Sequence, residues 1–223
     1  MKRSIAARAA FLAAATATVF GAATGAEKIH RIAKPLMVPA LAAGLPRPVS
    51  TLGAALVAAT VGDVLLIDPD DDARILRGAS AFAVMQGCYI GLLASKGARP
   101  TVTNSVPRLA GWGLAAGQLA RRSPAVAPGL AGYGLMLATM STLAADPSLV
   151  PGATTRAGVV VPSSDPRSRL AIGGILFTVS DALIVVRRLF LRADSHRRLA
   201  EGTILATYAA AQLCLVEGLA GKQ

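Results

Sequence analysis

Residues 169–186 read RLAIGGILFTVSDALIVV, and this stretch decides the fold. Past Arg169 its one ionisable group is Asp181. A half-buried strand would alternate apolar and polar residues; this run does not, and it approaches the roughly 20 apolar residues that a membrane helix needs. Seven more apolar stretches flank it, near 4–25, 35–45, 51–67, 78–94, 106–120, 124–145 and 201–220. Turn-forming residues separate them: Leu45-Pro46-Arg47-Pro48, Asp68-Pro69-Asp70-Asp71-Asp72, Asp146-Pro147 and Asp165-Pro166. The second stretch is short and flanked by proline. The pattern predicts an all-α polytopic membrane helix bundle of about eight transmembrane helices. It is expected to form a single integral membrane domain over residues 1–223, multi-pass in a bacterial cell membrane.

Composition agrees. Of 223 residues, 53% are hydrophobic and 16% charged, with a mean hydropathy of +0.54. Soluble domains carry about 25% charged residues, so lipid is the remaining solvent for this apolar surface. The two cysteines, Cys88 and Cys214, lie in apolar stretches and imply no disulfide framework. At the amino end, Met1-Lys2-Arg3, an apolar run and Ala22-Ala23-Thr24-Gly25-Ala26 allow a secretory signal or a first membrane helix. The apolar part is long for a signal, which favours the helix.

The net charge of +11 raises nucleic acid as a partner, and the placement of the charge argues against it. Arg47, Lys96, Arg99, Arg121, Arg122, Arg187, Arg188, Arg192, Arg197 and Arg198 are read as loop residues between apolar runs, suited to lipid headgroups. No basic face interleaved with aromatics is present. Alternate loops carry similar Lys and Arg totals, so orientation in the membrane is not readable, and neither is oligomeric state.

Ionisable groups inside a membrane are costly and usually functional or paired. Asp63 lies in the third span and Asp181 in the seventh, both about 18–20 Å from the same face at a rise of 1.5 Å per residue. Gln86, Tyr133 and Tyr208 lie at about the same level when measured from the opposite face. Tyr89 and Gln212 are further polar groups in the fourth and eighth spans. The expectation is one polar layer and a shared pocket, with interhelical hydrogen bonding as the plainer role for each residue. Gly62 and Gly173-Gly174 suit close helix packing. No His, Cys or carboxylate cluster stands at metal-ligand spacing, and no cofactor is called for. The acidic loop 68–72 lacks the glycine and distal Glu of a calcium loop and is read as solvated. There is no Gly-x-Ser-x-Gly elbow, which argues against serine-esterase chemistry.

Low dielectric disfavours a charged carboxyl group, and a second one nearby disfavours it further. Such a pair supplies one acid and one carboxylate. That suits protonation of an acid-labile ether or acetal, stabilisation of the resulting cation and attack by water. A site in lipid selects a lipid-like substrate.

The order of short motifs is similar to that of a known family. Ala33-Lys34-Pro35-Leu36 follows the first span, and Gly62-Asp63-Val64-Leu65-Leu66 lies in the third. Gly78 through Phe82 to Tyr89 marks the fourth, Gly174-Ile175-Leu176-Phe177 with Ser180-Asp181 the seventh, and Thr207-Tyr208 with Ala211-Gln212 the eighth. The chain resembles the lysoplasmalogenase-like (YhhN) family of multi-spanning membrane proteins over nearly its whole length. The resemblance implies hydrolysis of the vinyl ether bond of a lysophospholipid-like substrate, the lysoplasmalogens, to a fatty aldehyde and a glycerophospho-ethanolamine or -choline. It implies Asp63 and Asp181 as acid and base, with either order open, and Ser180 as part of the matching motif. Tyr208, Gln212 and Tyr133 would orient water or the glycerol oxygen, and Lys34, at the mouth of a span, would meet the phosphate. Two departures are expected: Gln86 where family members carry His, and Arg187-Arg188 where they carry Asn. The competing reading is a proton-coupled transporter or lipid-binding membrane protein that uses the same carboxyl groups.

Overall fold

The computed structural model describes residues 2–45, 50–68 and 70–221. Pro46, Arg47, Pro48 and Pro69, read above as turn residues, lie outside the described residues. Eight helices follow the eight apolar stretches in order: α1 Lys2–Thr24, α2 Glu27–Ala42, α3 Thr51–Leu65, α4 Asp72–Ser95, α5 Val102–Arg122, α6 Ala127–Ala144, α7 Leu170–Phe190 and α8 Asp194–Ala220. The expected helical membrane bundle is what the chain forms. Ser4–Thr24, Asp72–Ser95, Pro166–Phe190 and Asp194–Ala220 are long and apolar enough to cross a membrane, and Thr51–Leu65 is apolar but shorter.

Helix starts follow from local chemistry. Ser50 Oγ accepts from Gly53 N (3.0 Å) and Asp71 Oδ1 from Arg74 N (2.8 Å), so α3 and α4 each begin on a side-chain cap. The second helix differs from expectation. It starts at Glu27, eight residues before the apolar stretch, and carries Pro35 and Pro39 inside it. Proline is tolerated inside a membrane helix where neighbouring groups or local adjustments re-satisfy the freed backbone carbonyls. Helices α4 and α8 also start earlier than the apolar runs, by six and seven residues, because their first turns carry charges satisfied by ion pairs rather than by lipid.

The core lies where α1 meets α2 and α8, α3 meets α4, α4 meets α6, and α7 meets α8. Phe11, Met37, Leu56, Met85, Tyr89, Phe177 and Leu215 are among its fully buried side chains. Two glycines set the approach of helices. A Cβ at Gly174 would sit 3.1 Å from the Ser141 backbone, and one at Gly62 would sit 2.7 Å from the Phe82 ring. Helix α5 packs mainly on α6 and touches α7 sparsely. Between α6 and α7 the chain forms short 3-10 turns and a two-stranded hairpin, β1 Thr155–Arg156 with β2 Val159–Val160. No apolar run marks this segment in the sequence.

Several basic residues read as loop residues lie in helices. Arg121 and Arg122 end α5, Arg187 and Arg188 belong to α7, and Arg197 and Arg198 to α8. The acidic loop is also not free in solvent. Asp68 pairs with Arg31 and Arg74, both at 2.7 Å. Asp70 pairs with Arg187 at 2.9 Å and Arg197 at 2.7 Å. Asp72 pairs with Arg188, and buried Arg187 also meets Glu201 at 3.1 Å. These pairs fasten α2, α4, α7 and α8 at one end of the bundle.

Candidate active site

A cavity of about 510 Å³ runs between α5, α6, α7 and α8 and reaches the end of α3. Helix α5 lines it with Asn104, Arg108, Gly111, Trp112, Ala115 and Leu119, a stripe at three- and four-residue spacing. Ala157 and Val159 of the hairpin segment also line it. Most of the wall is apolar, and the polar side chains in it are few.

Asp63 and Asp181 both line this cavity. Each is held by a tyrosine rather than by the other carboxyl group. Tyr208 Oη donates to Asp63 Oδ2 at 3.0 Å, and Tyr133 Oη donates to Asp181 Oδ2 at 2.5 Å. Asp63 sits in the last turn of α3 because that helix has only 15 residues. The helix ends two residues before the expected end of the third apolar stretch. Asp181 lies in the middle of α7.

A chain of hydrogen bonds runs inward from Asp63. Gln212 Nε2 donates to Tyr208 Oη at 3.1 Å, and Tyr89 Oη donates to Gln212 Oε1 at 2.7 Å. The Tyr208 ring is wedged edge-on against Phe82 (5.7 Å) and Phe177 (5.5 Å), which fixes the hydroxyl in place. Tyr89 and Gln212 therefore stand behind the cavity wall, not in it. Gln86 is fully buried, with its amide beside the Tyr133 hydroxyl. Ser180 Oγ donates to the Ile204 carbonyl at 3.0 Å and ties α7 to α8. The level estimates for Gln86 and Tyr208 shift, since α4 and α8 start earlier than their apolar runs.

Lys34 is not at the mouth of a span. It lies within α2, is 4% exposed, and donates to the Leu66 carbonyl at 2.7 Å. Leu66 is the residue that ends α3, so Lys34 caps that helix and holds the turn carrying Asp63. Lys34 and Asp63 are electrostatic neighbours, and Lys34 lines the same cavity.

Further charged groups in the wall are Arg108, Arg187, Arg188 and Glu201. The sequence reading passed over Arg108, although it lies within the fifth apolar stretch and was as visible there as Asp181 in the seventh. Arg187 lies one residue beyond the predicted end of its span.

The family model described as the YhhN family matches residues 29–219. No curated protein matches the chain, and no solved structure does either. The match takes in α2 through α8, with Asp63, Asp181 and the tyrosines that hold them, and the chain belongs to the YhhN family.

Proposed function

We propose that this protein is a hydrolase of a bacterial cell membrane that cleaves the vinyl ether bond of lysoplasmalogen-type lipids. The observation that supports this reading best is the opening of two carboxyl groups, each held by a tyrosine hydroxyl, into one mostly apolar cavity. A cavity of about 510 Å³ falls in the usual range for small-molecule sites.

The chemistry needs a proton and water. One aspartic acid protonates the vinyl carbon remote from oxygen, and the double-bond electrons form the new C–H bond. The adjacent carbon becomes an oxocarbenium ion, which the second carboxylate stabilises. Water adds to that carbon, with its proton passing to the carboxylate. The hemiacetal then breaks its C–O bond to release a fatty aldehyde and the glycerol hydroxyl. No cofactor enters the balance. General acid–base catalysis of this kind contributes about 10²- to 10⁴-fold.

The test is aldehyde release from lysoplasmalogen by the purified protein in detergent. Asp63→Asn and Asp181→Asn are each expected to cut the rate by about 10²-fold or more. Wild-type release no greater than that of the two variants refutes the hydrolase. Proton-coupled flux in liposomes without aldehyde, abolished by Asp63→Asn, would replace it with a transport function.

A further inference from the structure

Arg108 stands out among the charged groups of the cavity wall. Its Nε donates to Ser141 Oγ at 2.8 Å, and its Nη1 donates to the Asn104 carbonyl at 2.8 Å. Both acceptors are neutral. No carboxylate among the described residues reaches its guanidinium, and it is half-buried. At the other end of the cavity every cation faces an acid. Arg187 has Asp70 and Glu201, Arg188 has Asp72, and Lys34 has Asp63 and Glu201 as electrostatic neighbours. A desolvated cation without a counterion is costly, unless the ligand brings the anion.

We propose that Arg108 binds the phosphate of an amphiphile whose chain lies along the apolar stripe of α5, so that the phosphate sits at the Arg108 end and not at Lys34. This deepens the hydrolase reading and rests on it for the identity of the reacting bond. Spacing along the helices fits. Ser141, which holds Arg108, and Tyr133, which holds Asp181, lie eight residues apart on α6. Their axial separation is about 12 Å. One charge-assisted hydrogen bond, the glycerol carbons and the vinyl ether together span a gap of that order, which brings the ether to Asp181. Trp112 stands beside that level, against Gly134, and Ala115, Ala116 and Leu119 beyond it offer an apolar wall for the chain. Lys34, by contrast, has its ammonium occupied by the Leu66 carbonyl and its charge balanced.

The chain's single tryptophan, Trp112, lies one turn from Arg108 in the cavity wall and donates to the Ala131 carbonyl at 2.8 Å. Its fluorescence reports occupancy without any turnover. The probes are an alkyl-ether lysophosphatidylethanolamine, a monoalkylglycerol of the same chain, and glycerophosphoethanolamine, which has the phosphate and no chain. Arg108→Gln is expected to raise the Kd of the phospholipid about 10- to 100-fold and to shift the Kd of the monoalkylglycerol less than about 3-fold. Arg108→Lys should recover part of the preference, and Lys34→Gln should leave the ratio of the two affinities unchanged. Glycerophosphoethanolamine should leave the fluorescence unchanged where the lipid saturates it.

Equal loss of both lipids in Arg108→Gln, no loss of either, or transfer of the headgroup preference to Lys34→Gln overturns the proposal. A tight, Arg108-dependent response to glycerophosphoethanolamine makes this a free-phosphoester site and also overturns it. Headgroup discrimination that persists in a protein releasing no aldehyde supports the phosphate site and removes only the hydrolase reading.

Discussion

Asp181 depends on one phenol. Among the described residues Tyr133 Oη is the group that hydrogen-bonds it, whereas Asp63 has both Tyr208 Oη and the nearby Lys34 ammonium. A lost hydrogen bond to a carboxyl group in this setting costs about 1.5–3 kcal/mol. Tyr133→Phe is therefore expected to lower kcat for aldehyde release about 10- to 100-fold with little change in KM, while Tyr208→Phe has the smaller effect. Steady-state kinetics on both variants checks the order. The two aspartates were legible in the sequence because a carboxyl group in a hydrocarbon run stands out on cost alone. Their tyrosine partners were legible only as polar residues at a similar level. Which phenol meets which acid depends on the rotation of four helices about their axes, and no local pattern encodes that. The Tyr89–Gln212 bond joins residues 123 positions apart and was hidden for the same reason.

At the scale of elements, the joint between α6 and α7 governs the site. Ser141 lies against Gly174 and also accepts from Arg108, and the same two helices carry Tyr133 and Asp181. Added bulk there pushes both pairs apart. Gly174→Ala is expected to destabilise the protein by about 1–3 kcal/mol, the usual cost of overpacking, and to lower activity along with stability. Thermal unfolding in detergent and the aldehyde assay check this together. The turn of the hairpin gives a prediction of opposite sign. Ala157 sits at φ 50 ahead of Gly158 at φ 77, and an alanine in that region is unfavourable by about 1–2 kcal/mol. Asparagine tolerates such turns better, so Ala157→Asn should raise the unfolding temperature. Unfolding no higher than wild type would count against it. All eight helices are legible in the sequence because each apolar run is continuous and set off by turn-forming or charged residues, the short second run included. The starts of α2, α4 and α8 are not, because their charged first turns look like loop until their partners are known.

Across the whole molecule, the acidic segment between α3 and α4 acts as a fastening. Burial disfavours a charged Asp70, and the guanidinium groups of Arg197 and Arg187 outweigh it, so the carboxyl is held below the usual carboxylate range. A depressed folded-state value stabilises the fold above the unfolded value of about 3.9. That contribution is lost as pH falls through the folded-state value. The unfolding temperature should therefore drop below about pH 4, and Asp70→Asn should flatten that part of the curve. Because Asp70 is largely exposed on its side chain, added salt should weaken the effect.

Sequence alone determined the class of this protein, the order of its helices, its family and the two acids within its apolar runs. The class, the helices and the acids follow from the cost of placing a given side chain in lipid, a property of the residue and its near neighbours; the family follows from the order of short motifs. Tertiary structure decided the rest: that Asp63 and Asp181 share a cavity while bonding different tyrosines, that Lys34 caps α3, that Arg187 is buried among acids, and that Arg108 faces the cavity without one. Charge balance and hydrogen-bond pairing are settled between helices distant along the chain, where packing chooses the partner.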